Sequence, residues 1–293
     1  MNSLQRAAGA SWAGAAPAHD SVPAKPANWR FEASWADCEA DVVDAQRLRH
    51  AIFAGEMKAR LAPPVGTPDG LDADRFDPYC DHLLIRAREA GSDAPGQLVG
   101  TYCVLAPDAA RRAGACYTES EFDLAPLAPL RAGAVELGRA CVHADWRSGG
   151  VILALWSELG NYMVEHGLHT MFGCASIGMA DGGDLARRVW RELSGSAYLV
   201  RPEYRIRPLT PLPPGADDGG APAENSEEQR GAQPRVGAAL RSMPPLIKGY
   251  LRCGARVIGP PSFDRLFNTA DLPIMMQLAD LPPRYSKQFL ARR

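Results

Sequence analysis

The feature that most constrains the fold is a strand, a glycine turn and a helix in direct succession. Residues 135–142 are mostly apolar and predict a strand, and the turn Arg147-Ser148-Gly149-Gly150 follows it closely. Apolar residues then recur at the spacing of one helical face, at Ile152, Trp156, Leu159 and Met163. A further strand is predicted at residues 170–175 and a further helix at residues 185–193. Strands that alternate with helices predict an α/β domain.

The N-terminal half adds a strand, a helix and a hairpin to this unit. The strand is predicted to begin near Trp29, and Asp37 is predicted to cap the following helix. That helix carries apolar residues at spacings of three and four, namely Val42, Ala45, Leu48 and Ile52. Residues 82–85 and 98–105 are strand-like and are separated by a glycine-containing turn, so an antiparallel hairpin is expected.

Composition shifts along the chain indicate how it is organised. Residues 1–28 are Ala-rich and predict a disordered leader, and residues 29–210 form the predicted core. Residues 211–235 hold five acidic residues and almost nothing apolar, which predicts a disordered insert. Residues 236–293 carry nine Lys or Arg against three Asp or Glu, and this basic segment is expected to complete the fold.

Charge and cysteine usage exclude several classes of function. The net charge of −2 is unlike that of a nucleic-acid-binding domain. The 7 cysteines include no C-x-x-C spacing, which disfavours disulfides and structural zinc, and no metal is expected. No run of 18 apolar residues predicts a transmembrane helix, so a cytoplasmic protein is expected.

The glycine turn is a candidate phosphate site. Backbone N–H groups at the start of a helix, together with the helix dipole, favour bound phosphate. Arg147 adds a positive charge, and Gly149 and Gly150 permit close approach of the backbone. The alternative is an ordinary tight connection, and the strand before and amphipathic helix after favour phosphate.

Two charged residues interrupt the apolar strand before this turn. Regular alternation places Glu136 on one face, with Gly138, and Arg139 on the other face. Buried charges need partners, so a structural ion pair with another element is one interpretation. A catalytic carboxylate in an active site is the other, and the spacing does not separate the two.

A long Pro-, Gly- and Asp-rich loop contains an acidic cluster: Asp72, Asp74, Asp77 and Asp81, followed by His82. Its spacing is not that of a calcium-binding loop. A solvated acidic loop is the commonest alternative. One or two of these carboxylates, with Asp77 and Asp81 preferred, are the predicted site for a cationic amino-acid substrate.

Near the C-terminus, residues 244–256 mix apolar residues with the cations Lys248, Arg252 and Arg256. Such a stretch can lie on an anionic membrane or dock an acidic carrier protein. It can also be a core helix whose cations extend to water. We expect the core role for the apolar residues and the partner role for the cations.

Several ordered segments together resemble one family, the ornithine–acyl carrier protein N-acyltransferases of the hemolysin-like branch of the GNAT superfamily. The segments are 136–143 (ELGRACVH), 146–152 (WRSGGVI), 244–252 (PPLIKGYLR), 267–271 (FNTAD) and 283–285 (PRY). The resemblance spans most of the chain and skips the acidic insert. It implies a mixed, mostly antiparallel sheet flanked by helices, in a single acyltransferase domain with a C-terminal extension.

The resemblance also implies a reaction. A 3-hydroxy fatty acyl group would pass from acyl carrier protein to the α-amino group of L-ornithine, with Glu136 and Arg139 as catalytic residues. The glycine turn would hold the phosphopantetheine phosphate of the carrier, and no further cofactor is implied. Peripheral contact with the inner membrane is a further expectation.

Two alternative functions remain at this point. A more distant resemblance to acyl-homoserine-lactone synthases rests on Leu48-Arg49, Phe53 and the Glu136/Arg139 pair, but Gly138 departs from the hydroxyl residue typical of that family. A catalytically inactive, carrier- or membrane-binding adaptor is the other alternative. Retention of Glu136, Arg139 and the glycine turn speaks against it.

Overall fold

The computed structural model describes residues 29–147, 149–215 and 243–289. The strands are β1 Trp29–Trp35, β2 Asp81–Glu89, β3 Gln97–Leu105, β4 Phe122–Asp123, β5 Ala134–Val142, β6 Thr170–Gly178, β7 Arg207–Pro208, β8 Arg256–Val257, β9 Ser262–Asp264 and β10 Thr269–Gln277. The α-helices are α1 Glu39–His50, α2 Pro107–Ala113, α3 Gly150–Glu165, α4 Asp184–Ser194, α5 Pro245–Arg252 and α6 Pro283–Phe289. The predicted leader and most of the predicted acidic insert lie outside the described residues.

One large sheet organises the chain, in the order β1-β2-β3-β5-β6-β10-β8, and β9 pairs β10 beside β8. Every pairing in it is antiparallel except that of β5 with β6. The parallel pair is joined by α3, the crossover that parallel neighbours require. This mixed, mostly antiparallel sheet with flanking helices confirms the predicted fold class.

Helix α3 covers one face of the sheet because its apolar side faces the hairpin and β5. Leu155 and Leu159 pack there with Leu83, Val99 and Val142. Helix α1 covers the opposite face, where Leu48 and Ile52 pack with Cys141. The helix begins at Glu39 with Cys38 as its N-cap, so the predicted cap at Asp37 is wrong, and π-helical residues Ala51–Glu56 extend it.

The C-terminal segment supplies an inner strand of the sheet. All of β10 pairs with β6, from Thr269 opposite Gly178 to Gln277 opposite Thr170. Helix α5 packs its apolar residues Ile247 and Leu251 against β6, β10 and α4. The segment is therefore integral to the core and carries one wall of the cleft described next.

Candidate active site

A cleft opens where the two parallel strands diverge. β5 pairs with β6 only from Ala134 to Glu136, although β5 continues to Val142 and β6 to Gly178. At the point of divergence the backbones are very close, since a Cβ on Gly173 would lie 2.2 Å from the carbonyl oxygen of Leu137. Glycine at position 173 thus fixes where the two strands separate.

A β-bulge in β5 changes which side chains face this cleft. Thr101 pairs with Cys141 but Cys103 pairs with Gly138, so Arg139 and Ala140 both lie opposite the single residue between them. Arg139 has a φ of 53°, in the left-handed region. The bulge interrupts alternation. Glu136 and Arg139 consequently line the same cleft, and the predicted placement on opposite faces is wrong.

Glu136 is buried and holds a neighbouring loop. Its Oε2 accepts a hydrogen bond from the backbone N–H of Tyr117 at 2.7 Å. Its Oε1 accepts from the backbone N–H of Thr118 at 2.7 Å and from the Thr118 hydroxyl. Burial raises the pKa of the Glu136 carboxyl. Among the described residues the partners of this carboxylate are backbone and hydroxyl donors, so Glu136 does not form the predicted structural ion pair there, whereas Arg139 forms one with Asp72.

Arg139 belongs to a network of opposite charges on the α1 side of the sheet. Its guanidinium pairs with Asp72, and its Nε lies 3.5 Å from Asp74 Oδ2. The guanidinium also lies over the rings of Phe53 and Phe267, at 5.1 and 5.3 Å from their centroids. These contacts hold the guanidinium of Arg139 in place at the wall of the cleft.

The predicted pair of ornithine-binding carboxylates is not brought together. Asp77 is buried, and its two oxygens accept from Arg49, which also bonds Asp72. Asp81 is exposed and accepts a 2.6 Å hydrogen bond from Tyr162 on α3. Asp77 lies on the α1 side of the sheet and Asp81 on the α3 side, so the two carboxylates cannot share one ligand. Neither residue lines the cleft between β5 and β6.

The glycine turn starts α3 as predicted, but its residues are already engaged. Arg147 donates from Nε to the carbonyl oxygen of Val142 and from Nη2 to Glu56 at 2.7 Å. Gly149 is the N-cap with a φ of 103°. A Cβ on Gly150 would lie 2.5 Å from the Phe31 ring, so packing requires glycine there. Ser148 lies outside the described residues.

The three C-terminal cations lie on or just after α5. Lys248 and Arg252 are partly exposed on α5, whose apolar side is in the core. Arg256 donates from Nη1 to the carbonyl oxygen of Ala197 at 2.7 Å and lies 3.9 Å from Asp280. The core role predicted for the apolar residues of this segment is confirmed by their packing.

Two pockets meet at the divergence. An apolar pocket of about 720 Å³, counting its open mouth, lies between the sheet, α3, α5 and α6. A cleft of about 2630 Å³, counting space open to solvent, lies between β5, β6, β10 and the loop before β4. Five residues line both: Tyr102, Leu137, Cys174, Ala175 and Tyr250.

Sequence reasoning missed two groups at this junction. The hydroxyls of Tyr102 and Tyr250 hydrogen-bond each other at 2.6 Å between β3 and α5. Glu121, Asp264 and Asp271 bring carboxylate oxygens together in the cleft. An acid at position 271, inside an otherwise apolar strand, was the signal that the sequence offered for the second group.

The protein is a GNAT acyltransferase, as a matching family model and its sequence relatives show. A family model described as an acetyltransferase (GNAT) domain matches residues 48–157. FeeM, an N-acyl amino acid synthase from uncultured soil microbes, is a distant structural likeness, with a TM-score of 0.46 at 10% identity over 88% of this chain and 97% of that chain.

Sequence relatives define the family. An L-ornithine N(alpha)-acyltransferase of Rhizobium meliloti (strain 1021) is 36% identical over 286 residues, 92% of this chain and 87% of the relative. One of Rhodobacter capsulatus is 32% identical over 85% of this chain and 90% of the relative. The chain belongs to the L-ornithine N(alpha)-acyltransferase family, and the resemblance predicted from its motifs is confirmed.

None of the helices in the described ranges is both long and apolar enough to cross a bilayer.

Proposed function

We propose that this acyltransferase moves a fatty acyl group from a thioester carrier to the α-amino group of L-ornithine. The observation that carries the proposal is the meeting of an apolar pocket and an acidic cleft where β5 and β6 diverge. Such a junction suits a reaction between a long hydrocarbon chain and a small cationic amino acid. The names of the family's relatives support ornithine as that amino acid.

The acidic cleft accounts for the choice of a diamino acid. Its described lining has one cation, Arg139, against a larger set of carboxylates: Glu56, Glu121, Glu136, Asp181, Asp264 and Asp271. Ornithine carries two ammonium groups and one carboxylate at neutral pH. We assign the carboxylate of ornithine to Arg139, the cation among the described lining residues. We assign its ammonium groups to the carboxylates of the cleft.

The apolar pocket is the proposed site of the acyl chain. Its lining comes from the sheet and three helices and includes Trp156, Met171, Ile274 and Phe289. Burial of a methylene group is worth about 0.8 kcal/mol, so a pocket of this kind favours long chains over acetyl groups. The thioester carbonyl would then lie at the Tyr102–Tyr250 junction.

The proposed donor is an acyl carrier protein, and the start of α3 is the proposed site for its phosphopantetheine phosphate. Free N–H groups in the first turn of a helix bind phosphate. Arg147 would share its charge between Glu56 and that phosphate. Lys248, Arg252 and Arg256 remain the proposed contacts for an acidic carrier or for an anionic membrane surface on the cytoplasmic side.

The proposed chemistry is direct aminolysis. The neutral α-amine attacks the thioester carbonyl, a C–N bond forms, and the C–S bond breaks as the thiol leaves with a proton. Since the amine is protonated in solution, a base must accept its proton. Glu136 is our candidate, acting through water: three donors leave part of its acceptor capacity unused, and its raised pKa suits a base.

A reconstituted reaction tests the proposal. The purified protein is mixed with ornithine, S-adenosylmethionine and 3-hydroxyacyl carrier protein, and the products are weighed by mass spectrometry, with the corresponding acyl-coenzyme A as donor in a parallel reaction. Acyl-ornithine formed mainly from the carrier protein supports the proposal. Acylation of S-adenosylmethionine with ornithine left unreacted would replace it with the homoserine-lactone alternative.

A further inference from the structure

Three carboxylates converge in the cleft from distant parts of the chain. Glu121 precedes β4, Asp264 ends β9, and Asp271 lies in β10. Oxygen atoms of the three lie within 4.8 Å of one another, and all three side chains line the acidic cleft. This cluster is separate from the acidic loop that the sequence singled out.

The cluster has no positive partner within the part of the chain that the structure describes. No described Lys, Arg or His forms an ion pair with Glu121, Asp264 or Asp271. Buried carboxylates are normally paired. The acidic loop on the α1 side shows the contrast, because Arg49 and Arg139 neutralise it.

Buried polar atoms in the same place point to a ligand with several donors. Asp271 is 6% exposed and Thr269 is 2% exposed. Within the described residues, Asp271 Oδ1, Glu121 Oε2 and Thr269 Oγ1 have no hydrogen-bond partner. Thr269 and Asp271 are two apart on β10 and so face the same side. A buried acceptor without a donor is costly, which favours a ligand that supplies one.

We propose that Glu121, Asp264 and Asp271, with Thr269, bind the side-chain ammonium group of the diamino-acid substrate, an inference that rests on the proposed function. An ammonium group has three N–H donors on one atom and matches convergent carboxylates. A divalent metal ion would need more oxygen ligands, with waters making up the set.

This assignment also explains which amine reacts. Nearby negative charges favour the protonated form of an amine, and a protonated amine is not a nucleophile. The δ-amine held among the three carboxylates therefore stays charged and unreactive. The α-amine lies towards Glu136 and the strand divergence, where it can lose its proton and attack the thioester.

Kinetics of isosteric variants test the assignment. Glu121→Gln and Asp264→Asn keep side-chain size and remove a carboxyl group that can ionise, and Glu203→Gln, at an exposed site, is the matched control. With one acyl donor throughout, the KM for ornithine should rise roughly 10- to 100-fold in each cluster variant, as expected for loss of a charge-assisted hydrogen bond. The KM for the donor should not change.

The preference of the enzyme for ornithine over an amino acid with a neutral side chain is the more discriminating measurement. Norleucine has the same side-chain length as ornithine without the charge, so the kcat/KM ratio of ornithine to norleucine should fall towards one in the cluster variants. Acylation at the δ-nitrogen, read by mass spectrometry of fragments, should appear in them. If the wild type acylates ornithine and a folded cluster variant keeps the same ornithine-to-norleucine ratio, the assignment of the cluster is wrong and the proposed function stands.

Binding without any donor gives a readout independent of turnover. Calorimetry should show ornithine binding to the wild type, weakened in Glu121→Gln and not in Glu203→Gln. Magnesium or calcium ions added alone should bind weakly. Tight metal binding that Glu121→Gln abolishes, with ornithine binding intact, would make the cluster a metal site instead. A wild type that acylates no ornithine would defeat the proposed function itself.

Discussion

Glu136 accepts hydrogen bonds from Tyr117 and Thr118 and is also the proposed base, and a single substitution disturbs both roles. In Glu136→Gln the amide nitrogen must replace one carboxylate oxygen, and every observed partner of those oxygens is a donor. A donor would then face a donor. We expect the free energy of unfolding to fall by about 1–3 kcal/mol, measured by urea denaturation.

Turnover in the same variant tests the base. It should fall roughly 10²–10⁴-fold at neutral pH, with partial recovery at alkaline pH as the amine deprotonates unaided. Thr118→Val is the control, because it removes one donor to Glu136 and leaves the carboxylate. It should lose about 1 kcal/mol of stability and far less turnover. Equal losses of turnover in both variants would remove Glu136 from the chemistry.

Glu121 makes stability depend on pH. Burial and the charges of Asp271 and Asp264, with Glu136 nearby, raise the pKa of Glu121 from its ordinary 4.5 to about 9. Between these values the folded protein retains a proton that the unfolded chain has lost. The stabilising contribution is therefore complete below pH 4.5 and is lost as the pH rises through about 9.

Melting temperatures measured from pH 5 to pH 9 check this. The wild type should lose stability as the pH rises, and Glu121→Gln, which keeps a neutral side chain at every pH, should show a flatter profile. Ornithine should flatten the wild-type profile as well, because its ammonium group compensates the charge. A wild-type profile identical to that of Glu121→Gln would mean that the pKa of Glu121 is not raised.

At the residue scale, the sequence was informative about which residue types matter and less so about their partners. Glu136 stood out because charge is unusual in an apolar strand. Its partners could not be deduced, because the backbone N–H groups of residues 117 and 118 approach it only through the fold. Asp77 was noticed because it belongs to an acidic loop. Its partner, Arg49, lies 28 residues earlier in the chain, so the loop sequence gave no sign of it.

At the scale of elements, β5 and β6 approach each other closely at Gly173. A methyl group at Gly173 would meet the Leu137 carbonyl oxygen at 2.2 Å, whereas one at Gly178 on the same strand would meet nothing within 4 Å. Gly173→Ala should lose roughly 3 kcal/mol of unfolding free energy by forcing the strands apart. Gly178→Ala should change it by less than about 0.5 kcal/mol. Comparable losses by urea denaturation would contradict this account of the divergence.

Most elements were predictable because their patterns are local. The hairpin of β2 and β3, the helix α3 after its glycine turn and the helix α4 all follow hydrophobic periodicity. The bulge in β5 was not predictable, because a regular period of two describes the strand until one residue takes a positive φ. That single residue turns Arg139 to the same cleft as Glu136.

At the scale of the whole molecule, the apolar pocket is assembled from residues far apart in sequence, from Tyr102 on β3 to Phe289 on α6. The C-terminal segment supplies much of its lining, through α5, α6 and β10. The basic tail was visible in the sequence, but the pocket that its apolar residues close was not, because no local pattern encodes contact between such distant segments.

Filling this pocket should change the preferred acyl chain without changing the amino acid. Met276 is partly exposed and lines the apolar pocket, but it does not line the acidic cleft. Met276→Trp adds an indole ring that would occupy space we assign to the distal acyl carbons. Each methylene group excluded from the pocket costs about 0.8 kcal/mol of burial, or roughly a factor of four in binding. Activity measured across a series of acyl donors should therefore drop steeply for long chains and little for short ones, with the KM for ornithine unchanged.

The short-chain donors serve as the internal control for folding. A uniform loss at every chain length would place the acyl chain elsewhere, and a raised KM for ornithine would mean that the two pockets are not separate.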